Sequence, residues 1–154
     1  MKLKVREQLN LVTSWMDSSQ IYGSFKCQAD NLRLHVDGQL KILPHPLSSK
    51  LKPLLPRHAT NHECKSPSKL CFNAGDDRVN EQPGLTVLHT VLVRQHNRMA
   101  KELGCLNPDW NDEKTFQETR KIIVAIIQHI TFKYVITAAV QYVAESNSDC
   151  VVSS

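Results

Sequence analysis

The sequence is poor in aromatic residues, in glycine and in long apolar runs. Aromatic side chains make up 6% of the 154 residues, and there are five glycines. The longest clean apolar run, residues 122–127, is much shorter than a membrane span, so we expect no membrane span. Residues 1–8 carry charges but no apolar segment, so we expect no signal peptide at this start.

The charge balance is mild overall and uneven along the chain. With 19 Lys and Arg against 15 Asp and Glu, the net charge of +4 does not by itself indicate a nucleic-acid binder. Residues 41–70 contain five of the seven prolines and six Lys and Arg residues against Glu63 alone. This composition predicts a long, basic surface loop. Because the loop has no interleaved aromatic residues, nucleic-acid binding ranks last among the functions considered.

The five cysteines leave at least one thiol unpaired within the chain. Cys64 and Cys71 flank a short loop that contains a proline, and they could form a disulfide in an oxidising compartment. An alternative is a zinc site made by these two cysteines with His58 and His62, although the spacing fits no common zinc finger. Both interpretations remain open at this point.

Two strong helix patterns lie in the C-terminal half. A helix over 84–103 follows Pro83, with Leu85, Leu88, Leu92, Met99 and Leu103 on one face and Val91 and Ala100 widening it. A second helix over 112–133 starts after acidic residues, and its apolar run at 122–127 indicates burial on several sides. Residues 141–154 are polar and predict a divergent tail.

Several motifs then occur in one order. Residues 72–83 read FNAGDDRVNEQP, residues 84–103 read GLTVLHTVLVRQHNRMAKEL, residues 107–110 read NPDW and residues 116–132 read FQETRKIIVAIIQHITF. Together with REQLNLVTSWMDSSQIYGS at 6–24, this succession resembles the animal haem peroxidases. The resemblance implies a mostly α fold with long irregular loops, here a partial haem peroxidase domain over 1–140.

The resemblance assigns a catalytic and a cofactor-binding residue. Arg78 matches the family's distal arginine, and Glu81 matches the glutamate that forms an ester to haem in many members. Gln82 stands where myeloperoxidase has a methionine bonded to haem through sulfur, so that bond is not expected. On spacing alone, Arg78 and Glu81 would be an ordinary surface ion pair on one face of a helical turn.

The resemblance also implies a partial calcium site. Thr13, Asp17 and Ser19 match residues that give side-chain oxygens to calcium, and Trp15 matches one that gives its backbone carbonyl. Hydroxyl, carbonyl and carboxylate oxygens suit a hard cation. Without the resemblance, the same segment would be interpreted as a turn rich in Asp and Ser.

The function implied is hydrogen-peroxide-dependent oxidation of a small-molecule or halide donor on haem b, in an extracellular protein that responds to oxidative stress. The family's distal and proximal histidines lie outside the matching region, and His89 and His96 match positions that do not bind iron. We therefore expect a fragment or truncated isoform that is weakly active alone and needs the remainder of the domain or a partner chain. The alternative is a non-catalytic helical interaction module.

Overall fold

The computed structural model describes residues 13–58 and 71–142. These residues form four α-helices, a 3-10 turn and a π-helix: α1 (Ser19–Tyr22), α2 (Lys26–Leu32), the turn Asp77–Asn80, α3 (Pro83–Leu106), α4 (Asp112–Ile130) and the π-helix Thr131–Ile136. Within these ranges the chain forms no sheet, and extended segments pair through the isolated bridges Arg33–Leu40, Leu43–Leu54 and Arg57–Phe72. The predicted mostly α fold with long irregular loops is therefore confirmed.

Helix α3 begins at Pro83, whose missing N–H would have no intrahelical acceptor there. It runs past Gly104, where the sequence pattern predicts a stop at 103, and ends at Leu106. The end is set by Asn107, whose backbone N–H and side-chain amide both donate to the carbonyl of Leu103. These bonds satisfy a carbonyl that the helix itself leaves free.

Helix α4 starts at an N-cap, because the side chain of Asn111 accepts a hydrogen bond from the backbone N–H of Lys114 at 2.8 Å. After Ile130 the chain continues as a π-helix over Thr131–Ile136 and then as α-helix to Tyr142. The helical segment thus extends beyond the predicted 112–133 and into the predicted tail at 141–154. Residues 143–154 of that tail lie outside the described residues.

The continuous helix Asp112–Tyr142 corrects one expectation from the sequence. Its 31 residues are long and apolar enough, by length and composition, to cross a membrane. The expectation that no apolar stretch approaches that length is therefore wrong for this helix. The criterion concerns length and composition alone, and 6% of the apolar window is buried in this structure.

The core forms where α1 and α3 pack with α4. Tyr22, Val93, Phe116 and Ile123 are among its buried side chains. The predicted apolar face of α3 is only partly buried, because Leu88 and Val91 are 60% and 52% exposed. The buried face overlaps the predicted one at Ala100, with Leu92 and Met99 partly buried against the core, and its other buried residues are His89, Thr90, Val93 and His96.

The described part of the basic loop, residues 41–58, is tied to α3. The guanidinium of Arg94 donates from Nε to the carbonyl of Pro53 at 2.7 Å and from Nη2 to the carbonyl of Lys52 at 3.2 Å. The backbones of Leu43 and Leu54 exchange two hydrogen bonds of 2.8 Å, which closes the loop on itself. The rest of the predicted loop, residues 59–70, lies outside the described residues.

Candidate functional site

The turn that carries Arg78 is fixed by its own side chains. Asp76 caps it, because its Oδ1 accepts a hydrogen bond from the backbone N–H of Arg78 at 2.9 Å. Asn80 closes the other end by accepting from the backbone N–H of Phe72 at 2.8 Å and donating to the carbonyl of Phe72 at 2.9 Å. Val79 is fully buried beneath the turn. The segment is therefore anchored from below while its outer side chains face solvent.

The guanidinium of Arg78 is paired with the carboxylate of Asp76 along one edge. Arg78 Nε donates to Asp76 Oδ1 at 3.0 Å, and Nη2 donates to Oδ2 at 2.6 Å. These hydrogen bonds hold the pKa of Asp76 below its usual value and raise the pKa of Arg78. The side chain of Arg78 is 56% exposed, and no acceptor among the described residues bonds to Nη1. One edge of the cation thus remains available.

Glu81 follows on the same turn and is exposed. Its backbone N–H donates to the carbonyl of Arg78 at 3.0 Å, which ends the turn. After the effect of Asp76, the charge of Glu81 also raises the pKa of Arg78. In a 3-10 turn, residues three apart lie almost directly above one another. Arg78 and Glu81 therefore share an exposed surface rather than opposite ones.

Of the two histidines on the buried face of α3, His96 is fully bonded. His96 Nε2 lies 2.9 Å from the carbonyl of Gly38, and Nδ1 lies 2.8 Å from the hydroxyl of Tyr22. Because a carbonyl only accepts, Nε2 carries the proton and Nδ1 accepts from Tyr22. Burial lowers the pKa of His96 from 6.5 to about 4, so the ring is neutral at physiological pH. This geometry makes His96 a core hydrogen-bonding residue.

His89 is bonded on one side only. Its Nδ1 donates to the carbonyl of Leu85 at 2.7 Å, while its Nε2 is buried and has no hydrogen-bond partner among the described residues. A buried polar atom without a partner is uncommon and often accompanies a functional site.

The four residues predicted to bind calcium bring their oxygens together. Thr13 Oγ1 lies 2.9 Å from Asp17 Oδ1, 3.0 Å from Ser19 Oγ and 3.4 Å from the carbonyl oxygen of Trp15. Calcium binds oxygens at about 2.3–2.6 Å, which puts neighbouring ligand oxygens roughly 3 Å apart. Hydrogen bonds of the Thr13 hydroxyl account for these distances, and the cluster gathers hydroxyl, carbonyl and carboxylate oxygens of the kind that a hard cation binds.

The carboxylate of Asp17 is held in its charged form. Burial alone would raise its pKa, but hydrogen bonds from the backbone N–H of Ser19 and from the hydroxyls of Thr13 and Ser19 together lower it. Ser18 between them has a φ of 60°, a left-handed conformation that turns the chain back on itself. The cluster thus supplies one fixed negative charge with neutral oxygens around it.

Gly75 connects the oxygen cluster with the Arg78 turn. A β-carbon at Gly75 would lie 2.2 Å from the carbonyl oxygen of Ser19 and 2.3 Å from the backbone nitrogen of Gly23. The side-chain amide of Gln28 also donates to the carbonyl of Gly75 at 3.0 Å. Only glycine permits so close an approach. The segment before Arg78 is therefore fixed on α1, which begins at Ser19.

The cysteine interpretations fall partly outside the described residues. Cys71 is buried and is not a free thiol, whereas Cys27 and Cys105 are free and exposed. Cys64 and His62 lie in the segment 59–70, so the pairing of Cys64 with Cys71 stays a prediction. Among the residues that the structure describes, no three His, Cys, Asp or Glu side chains form a metal-binding group.

Asp76 was not among the predicted site residues, although it lies in the segment FNAGDDRVNEQP at 72–83. Neither was Arg33, whose buried guanidinium pairs with Asp112 at 2.6 Å and with Glu113, and stacks 4.0 Å above the ring centroid of Phe116. No local pattern signals the Arg33 pairs, because the partners are 79 and 80 residues apart.

Comparison with known proteins identifies the family. The family model for animal haem peroxidase matches residues 1–147. The chain belongs to the animal haem peroxidase family. A peroxidasin homolog of Caenorhabditis briggsae is 43% identical over 142 residues, and human myeloperoxidase is 40% identical over 141 residues. The solved structure of peroxidase A from Dictyostelium discoideum superimposes with a TM-score of 0.73 at 33% identity.

The family match covers most of this chain but a small part of the peroxidases it resembles. The alignments cover 86% and 85% of this chain, but 11% of the peroxidasin homolog and 18% of myeloperoxidase. For peroxidase A the figures are 82% of this chain and 25% of that structure. The family match also reaches residue 147, into the segment predicted as a divergent tail.

Proposed function

We propose that this chain supplies the arginine side of a haem peroxidase active site, for hydrogen-peroxide-dependent oxidation of a small donor. The observation that carries the proposal is the exposed Arg78, fixed along one edge and without an acceptor at Nη1 among the described residues, with Glu81 on the same turn. A guanidinium stays charged at every physiological pH and presents fixed donors. Such a cation stabilises negative charge that develops on oxygen during peroxide cleavage.

The residues on this turn fit haem in part. Glu81 presents an exposed carboxylate without a hydrogen bond from the described residues, as an ester link to a haem methyl would need. Gln82, the N-cap of α3, cannot form the sulfur bond that a methionine would give there. When bound, haem would supply the redox chemistry of the iron. Arg78 would bind and orient the oxygen atoms that react beside it.

An axial ligand is the part that we do not assign to this chain. His96 uses both ring nitrogens in the core, and His89 uses Nδ1 for Leu85. By family resemblance, the distal and proximal histidines belong to regions before and after the matching motifs. We therefore propose that the chain alone binds haem weakly and turns over slowly, and that the remainder of the domain supplies the ligands.

Calcium binding is the second part of the proposal. Thr13, Asp17 and Ser19 would bind the cation through side-chain oxygens, and Trp15 would bind it through its carbonyl. The oxygen–oxygen distances of 2.9–3.4 Å around Thr13 support this assignment. Because the cluster has one carboxylate, we expect a weak site unless another segment adds a second. The role of calcium would be to fix the start of α1.

The remaining expectations follow from family membership. We propose an extracellular location, a disulfide between Cys64 and Cys71, a small-molecule or halide donor and a role in the response to oxidative stress. The haem b group could be covalently bound through Glu81. Support for these proposals comes from the resemblance to peroxidasin and myeloperoxidase over most of the chain.

Haem titration of the purified chain tests the proposal. We expect a weak Soret change that Arg78→Gln and Glu81→Gln reduce further, because both residues would contact the haem. Arg98→Gln is the matched control, since Arg98 is an exposed arginine on α3 paired with Glu102. Equal haem affinity in all four proteins would contradict the proposal, and so would strong peroxidase turnover by the chain alone.

A second candidate function is a non-catalytic interaction module. It is favoured by the C-terminal part of the long helix, where Phe132, Val135, Val140 and Tyr142 are each more than half exposed. We propose that the remaining part of a peroxidase fold covers this surface, because the chain aligns with 25% of peroxidase A. Size-exclusion chromatography with haem titration separates the two functions. A soluble oligomer that shows no haem binding would favour the non-catalytic interaction module.

A further inference from the structure

Asp76 holds Arg78 at three points. Its Oδ1 accepts from the backbone N–H of Arg78 at 2.9 Å and from Nε at 3.0 Å, and its Oδ2 accepts from Nη2 at 2.6 Å. The side chain of Arg78 thus folds back over its own backbone and closes a hydrogen-bonded ring with Asp76. Two parallel charge-assisted bonds give the pair a defined orientation as well as attraction.

Asp76 and Arg78 differ in exposure, and the less exposed Asp76 is the partner that the fold immobilises. The side chain of Asp76 is 9% exposed, and that of Arg78 is 56% exposed. Asp76 directly follows Gly75, whose backbone lies against Ser19 and Gly23. The carboxylate is therefore held by the packed part of the molecule, whereas the guanidinium reaches out into solvent.

An arginine at this exposure would otherwise sample many rotamers. Catalysis by a cation requires that the charge stand in place before the reaction, because reorganisation costs free energy. The ring with Asp76 removes that freedom without using the Nη1 edge. The arrangement leaves two N–H donors on Nη1 directed away from Asp76.

We propose that Asp76 is a positioning residue that fixes the guanidinium of Arg78 through Nε and Nη2 and leaves Nη1 to bind an oxygen of the reacting ligand. This role rests on the proposed peroxidase function of Arg78. The ligand class is an anionic or peroxidic oxygen, which the N–H donors and the charge of Nη1 would recognise. Asp76 itself acts through Arg78 and does not contact the ligand.

The carboxylate of Asp76 is also kept in the form that holds the guanidinium. The hydrogen bonds from the side chain and backbone of Arg78 lower the pKa of Asp76 and so favour its ionised state.

The test uses the full chain without haem and follows the Nε–H of Arg78 by nitrogen-15 NMR. Asp76→Asn keeps an oxygen for the cap but removes the charge and one acceptor. We expect the Nε–H of Arg78 to exchange with solvent roughly tenfold faster in this variant, as loss of a charge-assisted hydrogen bond predicts. Unchanged exchange would overturn the proposal.

Asp30→Asn is the matched control, because Asp30 pairs with Lys26 and is distant in sequence from the turn. It should leave the Nε–H of Arg78 unchanged. If Asp76→Asn does not fold, Arg78→Gln replaces it, and carbon-13 NMR follows the carboxyl of Asp76. The pKa of Asp76 should then rise toward its ordinary value, and an unchanged titration would overturn the proposal.

These measurements separate the positioning role from the proposed function. Exchange and carboxyl titration are both recorded without haem, so they report on the Asp76–Arg78 pair alone. Failure of the chain to respond to haem would count against the proposed function and not against the pair. Conversely, suppose that haem binding is weakened by Arg78→Gln but unchanged by Asp76→Asn. That result would support the proposed function of Arg78 and contradict the positioning role of Asp76.

Discussion

The backbone of Gly75 lies against that of Ser19, so that a β-carbon at residue 75 would stand 2.2 Å from the Ser19 carbonyl oxygen. Ser19 is one of the four predicted calcium ligands, and residue 75 directly precedes Asp76, which holds Arg78. One backbone contact thus joins the oxygen cluster to the arginine turn. A substitution at this contact should therefore disturb both the oxygen cluster at Ser19 and the turn that carries Arg78.

Gly75→Ala should lower the free energy of unfolding by several kcal/mol, because the added carbon meets backbone atoms that cannot move singly. Urea denaturation measures the effect. Gly104→Ala is the control, since nothing lies within 4 Å of its β-carbon and the residue is inside α3. That variant should gain about 0.5–1 kcal/mol, as glycine-to-alanine changes in helices do. Equal effects of the two substitutions would contradict the close packing at Gly75.

Calcium should raise the melting temperature of the chain, and Asp17→Asn should abolish the increase. A ligand that binds only the folded state stabilises it in proportion to the logarithm of its concentration. Asp17 carries the only carboxylate among the four predicted ligands, so its charge dominates the attraction. Differential scanning fluorimetry with added calcium measures the shift, with Asp30→Asn as the control. An equal calcium response in wild type and Asp17→Asn would exclude the site.

Stability should fall as the pH drops from about 6.5 to about 4, because of His96. Burial lowers the pKa of His96 in the folded state to about 4, whereas the unfolded chain keeps the ordinary value of 6.5. Between these values the unfolded state binds more protons, so acid favours unfolding. The full stability from neutral His96 is present above pH 6.5 and is lost below 4, a difference of about 3 kcal/mol.

Replacing His96 by Gln should flatten this pH dependence, as urea denaturation at several pH values would show. His129→Gln is the control, because His129 is exposed on α4. The lowered pKa values of Asp17 and Asp76 act at lower pH, since their ordinary values are already 3.8. A slope between pH 4 and 6.5 that survives in His96→Gln would show that another group causes it.

Removal of Asp112 should cost more stability than removal of the charge on Arg33. In Asp112→Ala the guanidinium of Arg33, 6% exposed, keeps only Glu113 as a counter-charge, and the N–H of Gly38 loses its acceptor. In Arg33→Met the carboxylates of Asp112 and Glu113, 29% and 58% exposed, remain hydrated. Because Glu113 still offsets part of the buried charge, the loss in Asp112→Ala should stay below the roughly 3–5 kcal/mol that a fully uncompensated buried charge costs. A larger loss in Arg33→Met would refute this ordering.

Much of the helical framework could be predicted from the sequence, because its signals are local. Pro83 marks the start of α3, and the acidic residues before residue 114 precede the body of α4. The helix ends were less accurate, since α3 passes Gly104 and α4 continues through a π-helix to Tyr142. Helix ends depend on which caps form, and the cap at Asn107 requires its side chain to fold back onto Leu103.

The face of α3 that is buried was not predictable from periodicity. The apolar pattern favours Leu88 and Val91, but the inward face carries His89 and His96. His96 turns inward because the carbonyl of Gly38 and the hydroxyl of Tyr22 satisfy both of its nitrogens. A polar residue of this kind is buried only when distant segments provide its partners.

By itself, the sequence determined the family, the two long helices, and the placing of Arg78 and Glu81 on one short turn, because these properties depend on local order and spacing. Only the tertiary structure decided that Asp76 holds Arg78, that Gly75 joins the turn to Ser19, and that Arg33 pairs with residues about eighty positions away. The physical reason is that close packing and buried polar pairing require atoms from separate segments, and side-chain geometry is set only when those segments meet.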